Sequence, residues 1–418
     1  MKLVDIIDFN PLTPIKKGTT APFIEMAALP TSARDIPLID ERVFSGSGSK
    51  FKDGDTLFAR ITPCLENGKG GFVSTLGAGI TGHGSTEFIV MRAKAASDEL
   101  FVYYVTRHQD FRAFAEQQMS GTSGRQRVAW QSLVTYELAD LLPVDRTEIA
   151  ATLGALDDKI ELNRRMNETL EAMARALFRD WFVNFGPTRA KMAGEAPHLF
   201  PDLWSLFPDR LGDAGKPEGW EPGTLSDLAT LNPESWTAKN SPQSIAYVDL
   251  ANTKWGNIDK TEPYDWKDAP SRAKRILRPG DTIVGTVRPG NGSFTYIGED
   301  GLTGSTGFAV LRPKNPRDRA FVWCAATSPE NIDRLTHLAD GGAYPAVRPE
   351  VVVSTDVVIP DANTLDAFCY TVAENLSLIE ANKAESRTLA QTRDLLLPRL
   401  MSGELRVAQA ERIAEGVL

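Results

Sequence analysis

The sequence predicts an α+β fold written twice: two similar mixed α/β domains separated by two long helices, a pseudo-twofold internal repeat. Three observations predict it. Segments of the first half recur in the second, in the same order and at a nearly constant offset. In each half a tight turn leads into an alternating strand. Each half then closes with a helical stretch whose apolar residues step by three and four.

The matches run in chain order. "LVDIIDFNP" at 3–11 resembles "LSDLATLNP" at 225–233, with Leu3, Asp5, Asn10 and Pro11 matching Leu225, Asp227, Asn232 and Pro233. "FKDGDTLFARITP" at 51–63 echoes "LRPGDTIVGTVRP" at 277–289, each a turn into a strand. "STEFIVMR" at 85–92 echoes "STGFAVLR" at 305–312. Near the end of each half an apolar strand is expected to stop at a proline, "LADLLP" at Pro143 and "TDVVIP" at Pro360.

The helices follow. "IELNRRMNETLEAMARALFRDWF" at 160–182 aligns without gaps with "IEANKAESRTLAQTRDLLLPRLM" at 379–401. Asp145 with Glu148 is read as a capping box for the first helix, and Gly186-Pro187 as its stop. Asn363 with Asp366 is expected to open the second in the same way. The first seam runs Leu153, Leu156, Ile160, Asn163, Asn167, Leu170, Ala174, Leu177, Trp181. The second runs Val372, Asn375, Ile379, Asn382, Ser386, Leu389, Arg393, Leu396, Leu400. So many polar members make a poor dimer zipper, and buried Asn fixes register at some cost, so the two helices are read as packing on each other.

"LLLPRLMSGELRV" at 395–407 carries its apolar face across Pro398, which should break a helix. The repeat explains it: Leu396, Leu397, Leu400 and Met401 occupy the places of Leu177, Phe178, Trp181 and Phe182. This makes Leu177, Phe178, Trp181, Leu396, Leu400 and Met401 candidates for a repeated docking element. The expected boundaries are a first domain at 1–145 and a spacer helix at 146–186. A loosely structured linker follows at 187–219, then a second domain at 220–360 and a C-terminal helix with its docking motif at 361–418.

With 418 residues, two to three domains are expected. The formal net charge of −9 advertises no nucleic-acid binding unless basic residues cluster locally. Cys64, Cys324 and Cys369 are too few and too far apart for a disulfide framework or a CxxC metal site, which points to a reducing cytoplasm. His83, His108, His198 and His337 show no metal-ligand spacing. "MKLVDIIDFNPLTP" lacks the apolar core of a signal peptide. No stretch reaches the ~18 uninterrupted apolar residues of a membrane span, so no membrane partner is expected.

The C-terminal "LLLPRLMSGEL", the central "LDDKIELNRRMNETLEAMARALFRDWF" and "PEGWEPGTLSDLA" at 217–229 resemble motifs of the DNA-specificity subunits of type I restriction–modification enzymes. The resemblance covers essentially the whole chain. It implies two target-recognition domains, each reading half of a bipartite site on double-stranded DNA. It implies that two antiparallel helices hold them apart and bind two methyltransferase subunits, with restriction/translocase subunits joining the complex. Such a subunit is no enzyme itself and binds no cofactor. S-adenosylmethionine, ATP and Mg belong to its partners. The residues agree: "ENGKGG" at 66–71 is not a phosphate-binding GxxxxGK[ST] loop. "NPLT" at 10–13 and "NPES" at 232–235 lack the proline and aromatic ring of an amino-methyltransferase site.

Base readout needs Arg, Lys, Asn, Gln or Ser on rigid loops, with further basic groups on phosphates. "SRAKRILRPGDTIVGTVRPGNGS" carries Arg272, Lys274, Arg275, Arg278 and Arg288, and "GAYPAVRPE" adds Tyr344 and Arg348. In the first half, "GTSGRQRVAWQ" supplies Arg125, Gln126 and Arg127, and Lys50, Lys52, Arg60 and Lys69 lie on turns. These are the candidate DNA-binding residues. "GRQRV" and "AYPAV" differ at matched places, so the target is expected to be asymmetric. A helix over 153–185 would span roughly 50 Å at ~1.5 Å per residue, a ruler for the gap between half-sites. The rival reading is a protein-interaction scaffold with two modules on a coiled-coil spacer and no DNA.

Overall fold

The computed structural model describes residues 1–36, 39–122, 124–213 and 215–417. Two compact units divide the chain: Met1–Arg165 with Asn382–Leu418, and Met166–Ala381.

The first unit is built on the strand Asp55–Ala59, buried at every position because successive side chains serve different cores. Leu57 and Ala59 pack with Ile24, Phe51, Phe88 and Val90. Phe58 packs with Ile89, Met91 and the helical residues Phe101 and Phe111. The strand is central in an antiparallel sheet ordered Ile7–Phe9, Phe88–Ala93, Asp55–Ala59, Gly70–Phe72. A second sheet, ordered Asp40–Val43, Thr20–Ile24, Gly82–Gly84, Ser49–Phe51, has one parallel pair, with Phe23 opposite His83.

The second unit repeats this order. One sheet runs Ala229–Leu231, Phe308–Pro313, Thr282–Gly285, Phe294–Tyr296. The other runs Glu262–Asp265, Ser244–Val248, Leu302–Ser305, Ala273–Ile276, again with one parallel pair, Ala246 opposite Leu302. The matched sequence motifs do the same work in both. Asn10 and Asn232 both take left-handed backbone, with φ 47° and 48°. Each side-chain oxygen accepts the N–H of Val90 (2.9 Å) or Val310 (3.0 Å), local bonding that lets Asn adopt this conformation. The turns before the central strands place Asp55 and Asp281 fully inside, against Arg92 and Arg312 at 2.7 and 2.8 Å.

The long helices are Pro143–Phe178, followed by a π turn over Arg179–Val183, and Ala362–Met401. In the first unit Leu153, Leu156, Leu389, Leu396 and Leu400 share one core. Arg393 reaches Asp157 at 2.6 Å, and Asn163 donates to Glu385 at 2.6 Å, so these helical segments run antiparallel. In the second unit Phe178 packs on Phe368 and Asn167 donates to the Ile379 carbonyl, again antiparallel. The seam is therefore internal to the chain.

Several local expectations change. The first helix starts at Pro143, a residue suited to a first turn because its missing N–H needs no partner there. Asp145 sits within the first turn and accepts the Leu142 N–H at 3.1 Å, so it is not the cap residue. The second helix is capped by Asp361, whose carboxylate accepts from the N–H groups of Asn363 and Thr364, rather than by Asn363. Gly186-Pro187 does not end a helix but opens the short helix Gly186–Met192; the chain turns at Phe185, φ 56°. "LADLLP" forms no strand, whereas the expected strand does form at Asp356–Ile359, where it pairs with Glu221–Thr224. Within 187–219 a further helix forms at Pro201–Leu206, and Phe207 closes edge-on over Trp181 at 4.8 Å, because its apolar residues cover the core.

Pro398 lies inside the second helix. Proline in a helix interior costs about 3 kcal/mol. Burying Leu400 and Met401 beyond it contributes roughly 3–6 kcal/mol, so the helix continues. It stops at Gly403, φ 76°, and the helix Val407–Glu415 then returns Ala410 and Ala414 to the same core.

Candidate nucleic-acid interface

Each unit gathers loops at the end of its central strand. In the first, the Arg60 N–H donates to the Glu87 carbonyl (3.0 Å), and the Arg60 carbonyl accepts the Val128 N–H (2.9 Å). Thr62 N–H donates to the Gln126 carbonyl (3.1 Å), and Gln126 N–H returns to Thr62 Oγ1 (3.1 Å). These bonds pin the hairpin Met119–Ser120/Arg127–Val128 onto the loop. The second unit reproduces them. Thr286 N–H donates to Gly307 (2.8 Å), Val347 N–H to Thr286 (2.9 Å), and Arg288 N–H to Pro345 (2.7 Å). Thr286 thus stands where Arg60 does, and Arg288 where Thr62 does.

This framework sorts the candidates. In the first unit Arg60, Arg125, Gln126 and Arg127 come together at the loop end. Arg125 is exposed; the Arg60 side chain is half-buried, and its Nε has no hydrogen-bond partner. Arg127 is held by Glu87 through Nε (2.9 Å) and Nη2 (2.7 Å), so part of its charge is neutralised. Lys69 is close by along the chain but its Nζ donates to the Met26 and Ala27 carbonyls, bracing a turn. Lys50 lies on the strand Ser49–Phe51 with its ammonium over the Phe44 ring. Lys52 is exposed at the turn that enters the central strand, away from this group.

In the second unit the loop end holds Arg272, Arg288, Tyr344 and Arg348, all exposed. Arg272 belongs here because its carbonyl accepts the Thr306 N–H, in the turn that also meets Thr286. The Arg288 guanidinium lies 4.6 Å over the Tyr344 ring and donates to the Ala343 carbonyl at 2.6 Å. Lys274 covers the Trp266 ring at 4.9 Å. Arg275 is half-buried, donates to Ser235 Oγ and leaves Nε unpartnered; burial lowers its guanidinium below the ordinary value. Arg278 is at the opposite end, committed to Glu234 and Asp300, both at 3.1 Å. Glu87 and Glu234 were not singled out in the sequence, because a carboxylate far along the chain gives no sign of the arginine it will meet.

The six docking candidates divide between the units. Phe178 and Trp181 lie in the second unit's core with Phe321 and Phe368, and Leu177 is partly buried beside them. Leu396, Leu400 and Met401 lie in the first unit's core. Apart from Leu177 these side chains are covered by the chain itself, so substituting them acts first on folding. Among the described residues no group of three or more His, Cys, Asp or Glu is placed to hold a metal ion, and no helix is long and apolar enough to cross a membrane.

No family model matches the chain. It is 25% identical over 410 residues to the specificity subunit of the type I restriction enzyme HindI from Haemophilus influenzae, covering 85% of this chain and 87% of that protein. It is 23% identical over 327 residues to the MjaIX specificity subunit of Methanocaldococcus jannaschii, covering 74% and 69%. A solved structure, the S subunit of a type I restriction–modification system from M. genitalium, is similar with a TM-score of 0.51 at 14% identity, over 96% of this chain and 95% of that one. That likeness shows a common fold. The chain is thus homologous to type I restriction enzyme specificity subunits along most of its length.

Proposed function

We propose that this chain, a homologue of type I restriction enzyme specificity subunits, is the DNA-specificity subunit of such a restriction–modification complex. One observation carries the reading: the similarity to the HindI specificity subunit extends over 85% of this chain and takes in both repeats. Arg60 and Arg125–Arg127 in one unit, and Arg272, Arg288, Tyr344 and Arg348 in the other, face double-stranded DNA and read unlike halves of a bipartite target. Arginine suits this work because its planar fork can grip a guanine edge or a phosphate. Lys50, Lys52, Lys274, Arg275 and Arg278 add phosphate contacts or structure. Lys69 belongs with them.

The chain has no catalysis of its own and binds no cofactor. Two methyltransferase subunits, recruited through the paired helices, supply S-adenosylmethionine chemistry; restriction/translocase subunits bring ATP and Mg. The complex works in the cytoplasm. Methylation maps of cells with and without this gene test the reading. A split, asymmetric methylated motif that disappears with the gene is the expected outcome; an unchanged map overturns it. The purified chain, given labelled S-adenosylmethionine and DNA, should transfer only background label.

A further inference from the structure

Trp255 stands out in the second unit. It is 60% exposed, yet its backbone is left-handed, with φ 44°. Trp255 and Gly256 (φ 89°) form the two-residue tip of the hairpin Thr253–Lys254/Asn257–Ile258. Such tips need positive φ at both positions and favour Asn, Asp or Gly at the first. A bulky residue there is strained, and strain of this kind persists where the surroundings fix it. Here they do. The Trp255 N–H donates to the Gly292 carbonyl (2.7 Å), and Thr295 Oγ1 donates to the Gly256 carbonyl (2.6 Å). The indole meets Phe294 edge-on at 5.7 Å, and a Cβ at Gly292 would lie 2.5 Å from the indole ring.

The other end of that same turn is Arg288, also left-handed at φ 49° and stacked on Tyr344, which is 71% exposed. Positive φ at Asn10 and Asn232 is common to both units and bonded locally. That at Trp255 and Arg288 has no counterpart among the described residues of the first unit. It is particular to one unit, as a feature reading one half-site should be. The hairpin also belongs to the loop end: the Leu250 carbonyl accepts from Ser293 Oγ (2.9 Å), tying the segment after Ser244–Val248 to the loop after Thr282–Gly285.

We infer that Trp255, with the Arg288–Tyr344 pair, is a specificity-determining platform that contacts bases of the half-site read by the second unit. The inference rests on the function proposed above. The indole, held rigid by the Gly292 turn, packs against one base pair. The guanidinium, oriented by Tyr344 and the Ala343 carbonyl, offers its other N–H groups to a neighbour. Apolar contact at a base edge distinguishes a thymine methyl, so the indole reads one pair and the adjoining arginine the next.

The test uses the complex of the full chain with its methyltransferase subunits, and duplexes carrying the motif found by methylation mapping. Trp255→Ala should weaken binding to that duplex about tenfold or more, the scale of one lost base-pair contact. It should relax base preference in one half-site only and leave affinity for random duplex within about twofold. Trp255→Phe should retain most of the preference. Arg412→Ala, exposed on the helix Val407–Glu415 of the other unit and outside the candidate contacts, should leave preference unchanged. Equal weakening on target and random duplex, or unaltered preference in Trp255→Ala, overturns the inference while wild-type recognition upholds the function. A wild-type complex with no preference overturns both. Tryptic digestion of each variant reports folding, and Trp255→Gly, which relieves the backbone strain, should lose preference like Trp255→Ala; if it keeps it, the inference is wrong.

Discussion

Removing the carboxylate of Asp55 should cost the first unit more than removing that of Asp281 costs the second. Asp55 is fully buried, and its oxygens accept from Arg92 Nε and Nη2, both at 2.7 Å, and from the Lys52 N–H at 2.8 Å. In Asp55→Ala, Thr13 Oγ1 at 3.1 Å is what remains to Arg92 of these side-chain partners among the described residues. Breaking a buried pair from one side costs about 3–5 kcal/mol, because the other charge stays desolvated. Arg312 is better provided: beside Asp281 it holds Glu234 at 2.9 Å. A bond to a charged group is worth ~1.5–3 kcal/mol, discounted here because Glu234 is more than a third exposed. Asp281→Ala should therefore cost about 1–2 kcal/mol less. Amide hydrogen exchange separates the units without assuming that the chain unfolds in one step. In Asp55→Ala the slowest amides of Asp55–Ala59 should exchange roughly two to three orders of magnitude faster, at 1.4 kcal/mol per factor of ten. Those of Thr282–Gly285 should change less in Asp281→Ala. Equal losses, or a larger loss in the second unit, would refute the idea that Glu234 shares the charge.

Three further outcomes are expected. Glu87→Gln frees Arg127, so binding to random duplex should tighten and its dependence on log salt should steepen by up to ~0.9, one added phosphate contact, in a salt titration. Burial pushes the Cys369 thiol up to about 12 and Cys324 higher still. Neither should react with a thiol reagent at neutral pH until denaturant is added, and a native count including either would contradict the packing. Hydrogen bonds from Arg164, then Arg165, hold the Glu161 carboxyl below its ordinary 4.5. A lowered carboxylate stabilises the fold above its ordinary value and loses that contribution as pH falls through the lower folded one. Thermal midpoints of Glu161→Gln should thus fall below wild type near pH 7 and converge with it as the pH is taken well below the ordinary 4.5.

The repeat was legible because it is a pattern of types: Asn10 with Asn232 and Asp55 with Asp281 recur in sequence and hold the same bonds in space. The seam was legible for the same reason, down to Asn163 and Arg393, polar residues that find buried partners on the facing helix. Helix ends were less so. Proline at position 143 and aspartate at 361 compete with nearby capping residues, and a local pattern cannot rank them. Among the candidate site residues, clustering of charge singled out Arg125–Arg127 and Arg288, but could not tell an available arginine from one committed to a carboxylate. Arg278 and Arg125 look alike in sequence; only the fold sets Glu234 and Asp300 beside the first. Trp255 was missed because aromatic residues are usually core, although Gly256 after it, between two polar segments, is itself a turn signal.

The first unit takes Asn382–Leu418 into its core, whereas the second is one unbroken stretch. During synthesis the order of completion is therefore reversed. At ~5–20 residues per second the ribosome spends on the order of ten to forty seconds between making Arg165 and reaching Asn382. Through that interval Leu153 and Leu156 wait without Leu389, Leu396 and Leu400, and the second unit receives all its residues first. A frameshift or stop codon near position 385 would thus spare the half of the protein encoded next to it and cripple the half encoded at the opposite end of the gene.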